Sequence, residues 1–165
     1  MVGEAVVVLD PHGDLARRLI GRVPAQRIDD VIYIHLADRT RSIGLNLLDT
    51  QDGDDPNQLV QRVADIGKAL WKEYWGPRMR VPITHALRAL AYANLTRAAE
   101  RQYGIFAVPA LLTCRNEARE DFLDTELPRS VLNTHLYFRD EYQHLTPGFR
   151  QEVISPVLSK IDAFG

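Results

Sequence analysis

The sequence predicts a mainly α-helical protein, in which an all-α helical bundle follows a short strand–helix–strand (βαβ) fragment. Two short apolar runs rich in β-branched residues, Ala5–Leu9 and Val31–Leu36, are typical of buried strands. The chain between them has its apolar residues at helical spacing. After the acidic segment Asp49–Asp55, every longer apolar pattern has helical spacing. We therefore predict two domains, residues 1–49 and residues 50–165.

Bulk composition is typical of an ordinary globular protein. The 165 residues are 45% hydrophobic and 25% charged. A formal net charge of −2 gives no general attraction to nucleic acid, so a DNA contact would require a local basic patch. The single cysteine, Cys114, predicts a reducing, cytoplasmic setting. No apolar stretch reaches the roughly 18 residues of a membrane span, and we expect no direct membrane contact by this chain.

Proline and glycine positions predict the limits of the helices. In the first domain a strand ends at Asp10 and a helix starts at Asp14. In the second domain Asp55-Pro56 is typical of a helix cap followed by proline at the first helical position. The further predicted helices of this domain begin at Pro82, at Asn116, near Pro128 and at Thr146-Pro147. The helix that begins at Pro56 is predicted to end at Gly76-Pro77. The last helix carries Phe164 and is predicted to have a kink or break at Pro156.

The first candidate site is the turn formed by Asp10, His12, Gly13 and Asp14. It lies where the first predicted strand meets a helix N-terminus, a common place for phosphate to bind in α/β proteins. Three interpretations compete. Asp10 could end a Walker B strand, although Pro11 stands where a catalytic glutamate usually follows.

The two other interpretations of this turn differ in kind. Asp10, His12 and Asp14 resemble the opening ligands of a two-metal phosphoesterase, but such a site needs further ligands after later strands. Alternatively, the turn is structural: Gly13 permits the bend and Asp14 caps the helix. The residues favour this structural interpretation.

The second candidate site mixes basic and aromatic residues around the predicted end of the first bundle helix. Cations that neutralise phosphate and aromatic rings that stack on bases are the combination that single-stranded nucleic acid binders use. The alternative is that the two tryptophans, one turn apart, anchor a helix end in the core while the cations stay solvated. The residues favour this alternative. The candidates are Lys68, Trp71, Lys72, Trp75, Arg78 and Arg80.

No P-loop is present in the sequence. Gly67-Lys68 is followed by alanine and lacks the glycine that should stand five residues earlier, so no loop of the G-x-x-x-x-G-K-[ST] type exists to hold phosphates. We therefore expect no catalytic residues, no metal and no cofactor in this chain in isolation.

Several runs nevertheless resemble one ATPase family. VVVLDPHGDLARRLIGRVP, RIDDVIYIHLAD and IGLNLLD are similar to the stretch just after the P-loop helix in the coupling-protein ATPases of type IV secretion and conjugation, within the HerA–FtsK superfamily of DNA translocases. Trp75-Gly76-Pro77-Arg78-Met79 and Ser155–Ile161 resemble signatures of the all-α domain that interrupts the RecA-like core of this family. The resemblance covers nearly the whole chain in order.

The resemblance implies a role in a larger motor. Residues 1–49 would be part of a RecA-like P-loop NTPase core, and the all-α domain would contact DNA, the relaxosome or effector proteins. The full-length protein would be a hexamer that uses ATP and Mg²⁺ between neighbouring subunits, with Asp10, His12, Gly13 and Asp14 near the nucleotide. It would be bacterial and cytoplasmic, tethered to the inner membrane through parts outside this chain.

Two functional hypotheses follow from the sequence. The first is a substrate- or DNA-recognition module of a type IV coupling ATPase, without catalysis by this chain alone. The second is a stand-alone metal-dependent phosphohydrolase that uses Asp10, His12 and Asp14.

Overall fold

The computed structural model describes residues 5–35, 38, 40, 44–50, 53–72 and 75–161. Within these residues the chain is mainly helical and forms no β-strand. It divides into two compact units, Met1–Leu45 and Asn46–Gly165, whereas the predicted boundary lies between residues 49 and 50. The predictions made for Leu36 and Phe164 concern positions outside the described residues.

The first unit contains helix α1, Asp14–Ile20, and a 3₁₀ turn, Ala25–Asp30. The predicted helix start at Asp14 is confirmed. The structure does not show the predicted strands, because neither Ala5–Leu9 nor Val31–His35 has β pairing. Both segments expose their apolar side chains, with Leu9 at 90% and Ile32 at 89% relative exposure. An apolar run indicates a segment suited to a sheet, but a strand forms only where a neighbour pairs with its backbone.

The second unit is a helical bundle built around one central helix, α3. Helix α3 carries the apolar residues Ile83, Leu87 and Leu90 into the core and packs against most of the other helices of this unit. The helices are α2 Pro56–Leu70, α3 Pro77–Asn94, α4 Ala107–Thr113, α5 Asn116–Glu126, α6 Leu132–Leu136 and α7 Pro147–Ile161. The prediction of an all-α domain is confirmed for the described part of this unit.

Helix α2 begins as predicted. The Asp55 side chain accepts a hydrogen bond from the backbone N–H of Asn57 at 3.0 Å, and Pro56 occupies the first helical position. The cap satisfies one of the N–H groups that the first turn leaves without a partner, and proline has no N–H to satisfy. The helix ends at Leu70, earlier than the predicted stop at Gly76-Pro77.

Helix α3 begins at Pro77, and the predicted start at Pro82 is wrong. Both prolines fit a helix start by sequence, but Pro77 follows the extended Gly76 and takes the first helical position. Pro82 then lies inside the helix, buried against the core, where its packing offsets the loss of one backbone hydrogen bond.

Helix α7 runs through Pro156, so of the predicted kink or break the break is wrong. Pro156 has no N–H to donate to the carbonyl of Glu152, and Glu152 is exposed, so water can take that place. Val153 and Val157, on either side of the proline, are both buried and hold the helix to the core. Tertiary packing therefore keeps the helix continuous.

Helix α6 continues into a less regular region. A π turn, Tyr137–Glu141, follows it directly, and a 3₁₀ turn, Tyr142–His144, follows the π turn. Tyr137, Phe138 and Tyr142 are all buried, and their rings contact one another at centroid distances of 5.2 to 5.9 Å. The predicted helix from near Pro128 toward Tyr142 is confirmed in outline, with its regular part starting at Leu132.

Two asparagine side chains connect the beginning of the second unit to the bundle. Asn94 is fully buried at the end of α3, and its amide donates to the carbonyls of Leu48 and Tyr103 at 2.9 Å each. The backbone N–H of Tyr103 donates back to Asn94 at 2.7 Å. Asn46 also donates to the Tyr103 carbonyl, at 3.2 Å. These bonds attach the segment around Leu48 to the bundle.

Candidate functional site

Asp10 serves as a remote cap of helix α1. Its carboxylate accepts hydrogen bonds from the backbone N–H groups of Leu15 at 2.8 Å, Ala16 at 3.0 Å and His12 at 3.2 Å. These bonds, foremost the one from Ala16, lower the pKa of Asp10, and the slight desolvation of the carboxyl opposes them. The ionised carboxylate is therefore held in place by the start of the helix.

The remaining residues of this turn have distinct placements. Gly13 adopts a left-handed backbone conformation with φ of 81°, which glycine adopts without a steric penalty. This conformation confirms the predicted bend. The prediction that Asp14 caps the helix is wrong, because Asp14 is the first helical residue and the capping side chain is that of Asp10. The His12 side chain is exposed, and Asp10, His12, Gly13 and Asp14 all lie within one turn of chain.

The turn offers a poor set of metal ligands. In the part of the chain that the structure describes, no three His, Cys, Asp or Glu side chains are grouped so that they could hold a metal ion. The Asp10 carboxylate is already used by three backbone N–H groups. These residues do not by themselves fit the two metals of a phosphoesterase or a complete magnesium site, and we derive no reaction step through either.

The two tryptophans of the second candidate site follow helix α2 and pack together against its last turns. Their ring centroids lie 5.8 Å apart with the planes tilted by 38°, and both residues are partly buried against the core. Gly67 makes room for them, because a Cβ at this position would lie 2.7 Å from atoms of the Trp75 ring and 3.1 Å from the Trp71 ring. This packing supports the interpretation of Trp71 and Trp75 as anchors of a helix end.

The four basic residues of this site are exposed around the connection between α2 and α3. Lys68 lies in the last turn of α2, Lys72 follows the helix, and Arg78 and Arg80 lie at the start of α3. The Arg78 guanidinium stands 5.5 Å from the centre of the Phe149 ring on α7, a cation–π contact. The structure thus collects the predicted cations in one region, beside the packed tryptophans.

Arg119 is a buried charge that sequence reasoning missed. It is 2% exposed, and its guanidinium donates to the backbone carbonyls of Leu111 at 3.0 Å, Leu112 at 3.2 Å and Cys114 at 2.8 Å. These carbonyls lie at or just beyond the C-terminal turn of α4, where helix geometry leaves acceptors without partners and a cation is favourable. The guanidinium also lies over the Tyr142 ring, 4.9 Å from its centre. Arg119 therefore joins α5 to the end of α4.

His85 is a second polar group that contributes to the core. Its ring stacks on Tyr137 at 4.1 Å between centroids and 9° between planes, and Nδ1 lies 3.3 Å from the Thr134 hydroxyl. Burial, helped by the positive charge of Arg88, lowers the pKa of His85 to about 4. Burial likewise raises the pKa of Tyr137 and of Tyr142. The cluster is therefore neutral at pH 7, which suits a structural role.

The sequence held only weak signals for these groups. Arg119 lies in a charged stretch that is typical of a solvated helix face, and His85 lies among apolar helical residues. Asn94 gave a better signal, since a short polar side chain at the end of an apolar helix often bonds to backbone. His85 and Asn94 bond to residues distant in sequence, and Arg119 bonds to carbonyls of the preceding helix. Periodicity predicts none of these contacts.

Comparison with known proteins found no matching family model, no similar curated protein and no similar solved structure. None of the described helices combines the length and the apolar character that crossing a membrane requires.

Proposed function

We propose that this chain is a recognition module of a larger P-loop ATPase of the type IV coupling kind. The helical unit would bind DNA, relaxosome or effector proteins, and the first unit would be a βαβ fragment of a RecA-like motor core. ATP and Mg²⁺ would act only in the full-length hexamer, which would be cytoplasmic and tethered to the inner membrane through other parts of the parent protein.

One observation carries this proposal: the contrast between the two units. The second unit buries its apolar residues around α3, as an independent domain does. The first unit exposes the apolar residues of both predicted strands, for example Val6 at 82% and Val7 at 85%. Side chains of this kind are suited to a sheet covered on both faces. Their exposure supports a first unit that needs neighbouring strands from a larger core.

The position of Asp10 agrees with this proposal. Its carboxylate stabilises the loop that would lie at the carboxyl end of the first strand, next to the start of α1. In open α/β sheets ligands bind at this edge. Asp10 would then shape the nucleotide side of the motor by positioning the turn, and the P-loop would come from another part of the parent protein.

The proposal predicts that the purified chain does not hydrolyse ATP. We expect no phosphate release above a buffer control at saturating ATP and Mg²⁺, and no saturable binding of a fluorescent ATP analogue. Robust turnover that disappears in Asp10→Asn would contradict the proposal and favour the metal-dependent phosphohydrolase.

DNA binding by the helical unit is tested separately. Fluorescence anisotropy with labelled single-stranded DNA should show affinity that falls steeply with salt, because phosphate contacts release counterions. The variant Arg78→Ala/Arg80→Ala should weaken that affinity, whereas Arg115→Ala/Arg129→Ala, which removes two exposed cations elsewhere in the unit, should not. Equal affinity of both variants and the wild type would remove the basic region from the proposed DNA contact.

A further inference from the structure

The segment Asn46–Thr50, which we call the strap, is the first part of the helical unit. Leu48 is its main anchor, since this side chain is fully buried in the core of the bundle. Thr50 is also buried, with 7% of its surface exposed. Because burial of apolar surface is the largest favourable contribution to such an attachment, Leu48 contributes most to holding the strap in place.

Hydrogen bonds within the strap join its residues to one another. The Asn46 side chain accepts a hydrogen bond from the backbone N–H of Leu48 at 3.0 Å. The Asn46 carbonyl accepts one from the backbone N–H of Asp49 at 3.2 Å. Because both bonds lie inside the strap, we expect Leu48 and Asp49 to lose their contacts with the bundle together.

Side-chain hydrogen bonds connect the strap to the end of α3 and to the loop that follows it. The attachment through Gln102 is incomplete, because its side-chain oxygen is buried and no described residue donates a hydrogen bond to it. A buried polar atom without a partner costs free energy that contact with water recovers, so this end of the strap is the easier one to open. The bonds run from Asn94 to the Leu48 carbonyl at 2.9 Å, from Gln102 to the Thr50 hydroxyl at 3.1 Å, and from Asn46 to the Tyr103 carbonyl at 3.2 Å.

The loop that faces the strap has supports of its own. The backbone N–H of Tyr103 donates to Asn94 at 2.7 Å, and the Tyr103 ring packs edge-on against Phe122 of α5 at 5.7 Å between centroids. Arg97 donates to the Tyr103 hydroxyl at 2.8 Å and to Glu126 of α5 at 2.7 Å. None of these contacts involves the strap, so the loop can keep its position when the strap leaves.

We infer that the strap is a releasable element, which detaches from the bundle as a unit while the loop around Tyr103 and the core stay folded. Release uncovers the side-chain amides of Asn94 and Gln102 beside the apolar site that Leu48 fills. In the proposed parent protein the first unit precedes the strap at Asn46, so a movement of the motor core would act on the strap first. That use of the strap rests on the proposed function, whereas its release does not.

Amide hydrogen exchange followed by NMR measures this release in the whole chain. The amides of Leu48 and Asp49 should have equal protection factors, because they become exposed in one common opening. These protection factors should be lower than those of Leu87 and Leu90 in the middle of α3, and lower than that of Tyr103. The wild-type values test the release even where a variant does not fold.

Substitutions on the two sides of the contact separate the strap from the loop. Thr50→Val removes the hydroxyl that accepts from Gln102 and should speed exchange of both strap amides roughly twofold to tenfold. The control Thr113→Val removes a hydroxyl that bonds within α4 and should leave the strap amides unchanged. Tyr103→Phe removes the hydroxyl that bonds to Arg97, so it should speed exchange at position 103 but not in the strap, which opens before the loop does.

Local opening of the strap, faster in Thr50→Val and unchanged in Tyr103→Phe, is the expected result. The inference is overturned if the strap amides exchange no faster than the middle of α3, or if Thr50→Val leaves them unchanged. It is also overturned if Tyr103→Phe speeds them as much as it speeds position 103, since strap and loop then open as one piece. ATP and DNA play no part in these measurements, so failure of the strap and failure of the proposed function are told apart.

Discussion

The Asp10 carboxylate determines how the first helix of the chain starts. It accepts hydrogen bonds from Leu15 and Ala16, two N–H groups of the first turn of α1, at 2.8 and 3.0 Å. Gly13 occupies the cap position but has no side chain to perform this task. The carboxylate, four residues before the helix, supplies the acceptor that the cap residue lacks and also neutralises part of the positive end of the helix.

Removing this carboxylate should loosen α1. In Asp10→Ala the amides of Leu15 and Ala16 lose their acceptor, and we expect them to exchange with solvent faster than in the wild type. Hydrogen exchange followed by NMR measures this residue by residue. Asp29→Ala removes an exposed carboxylate from the same unit and serves as the control. Unchanged exchange at both amides in Asp10→Ala would show that the cap contributes nothing.

His85 should make the helical unit sensitive to acid. Its pKa is about 4 in the folded chain and 6.5 when unperturbed, so the unfolded state takes up the proton first as pH falls. The stabilisation is complete above pH 6.5 and is lost as pH falls toward 4. In His85→Phe, which keeps an aromatic ring on Tyr137, the free energy of unfolding should depend less on pH in this window.

Urea denaturation at a series of pH values measures that difference. The control is His144→Phe, which makes the same substitution at an exposed histidine of the same unit. If the free energy of unfolding falls equally in the wild type and in His85→Phe between pH 6.5 and pH 4, the prediction is wrong and His85 does not cause the acid sensitivity.

The end of helix α2 depends on contacts between neighbouring turns and the chain that follows. Trp75 lies against Gly67, and the backbone N–H of Trp75 donates to the carbonyl of Trp71 at 3.0 Å. Trp71 and Trp75 are thereby held close to the end of the helix, just before α3 begins at Pro77. Arg78 and Arg80 of the basic region follow in the first turn of α3.

A methyl group at Gly67 should disturb this arrangement. Its Cβ would approach the Trp75 ring to 2.7 Å, so we expect Gly67→Ala to lower the free energy of unfolding by roughly 1–2 kcal/mol even though alanine is the better helix former. Tryptophan emission should shift as well. Gly148→Ala in α7 meets no atom within 4 Å and should be neutral or stabilising. Equal effects of the two substitutions on stability would contradict the packing argument.

At the scale of secondary-structure elements, the sequence predicts which segments are helical better than it predicts where each helix begins and ends. Asp55-Pro56 identified the start of α2 correctly because the cap and the proline act within one turn. Pro82 and Pro77 could not be ranked from sequence, since both are suited to a helix start and only packing places Pro82 inside α3. Of the kink or break predicted at Pro156, the break does not occur for the same reason: the buried residues beside the proline hold the helix together.

The candidate sites show the same division between local and distant effects. The bend at Gly13 is a local property and was predicted. Which aspartate caps α1 depends instead on how the turn folds, because the turn places the Asp10 carboxylate next to the N–H groups of Leu15 and Ala16. The packing of Trp71 and Trp75 on each other and on Gly67 agrees with the interpretation of the tryptophans as anchors, which rested on their spacing. The contact of Arg78 with the Phe149 ring joins α3 to α7, which are far apart in sequence, and no motif indicates it.

At the scale of the whole molecule, the two units differ in how much of their apolar surface each one buries. The bundle has a continuous core that extends from Leu48 to Ile161. The first unit has a capped helix and two apolar segments that remain exposed, with Leu9 at 90% and Ile32 at 89%. Such segments suit a sheet partner, and without one they favour association between chains. We therefore predict that the bundle folds independently, whereas the first unit folds fully only where neighbouring strands pair with its two apolar segments.

Hydrogen exchange followed by mass spectrometry tests this claim most directly, on the chain alone and within a longer protein that supplies a P-loop strand. Alone, amides of residues 5–9 and 31–35 should exchange at nearly the rate of an unfolded chain, and those of α3 should be the slowest. In the longer protein the two segments should become protected, while α3 stays unchanged. Two results would contradict the claim that these segments need neighbouring strands: protection of both segments in the chain alone, or no protection of them in either sample.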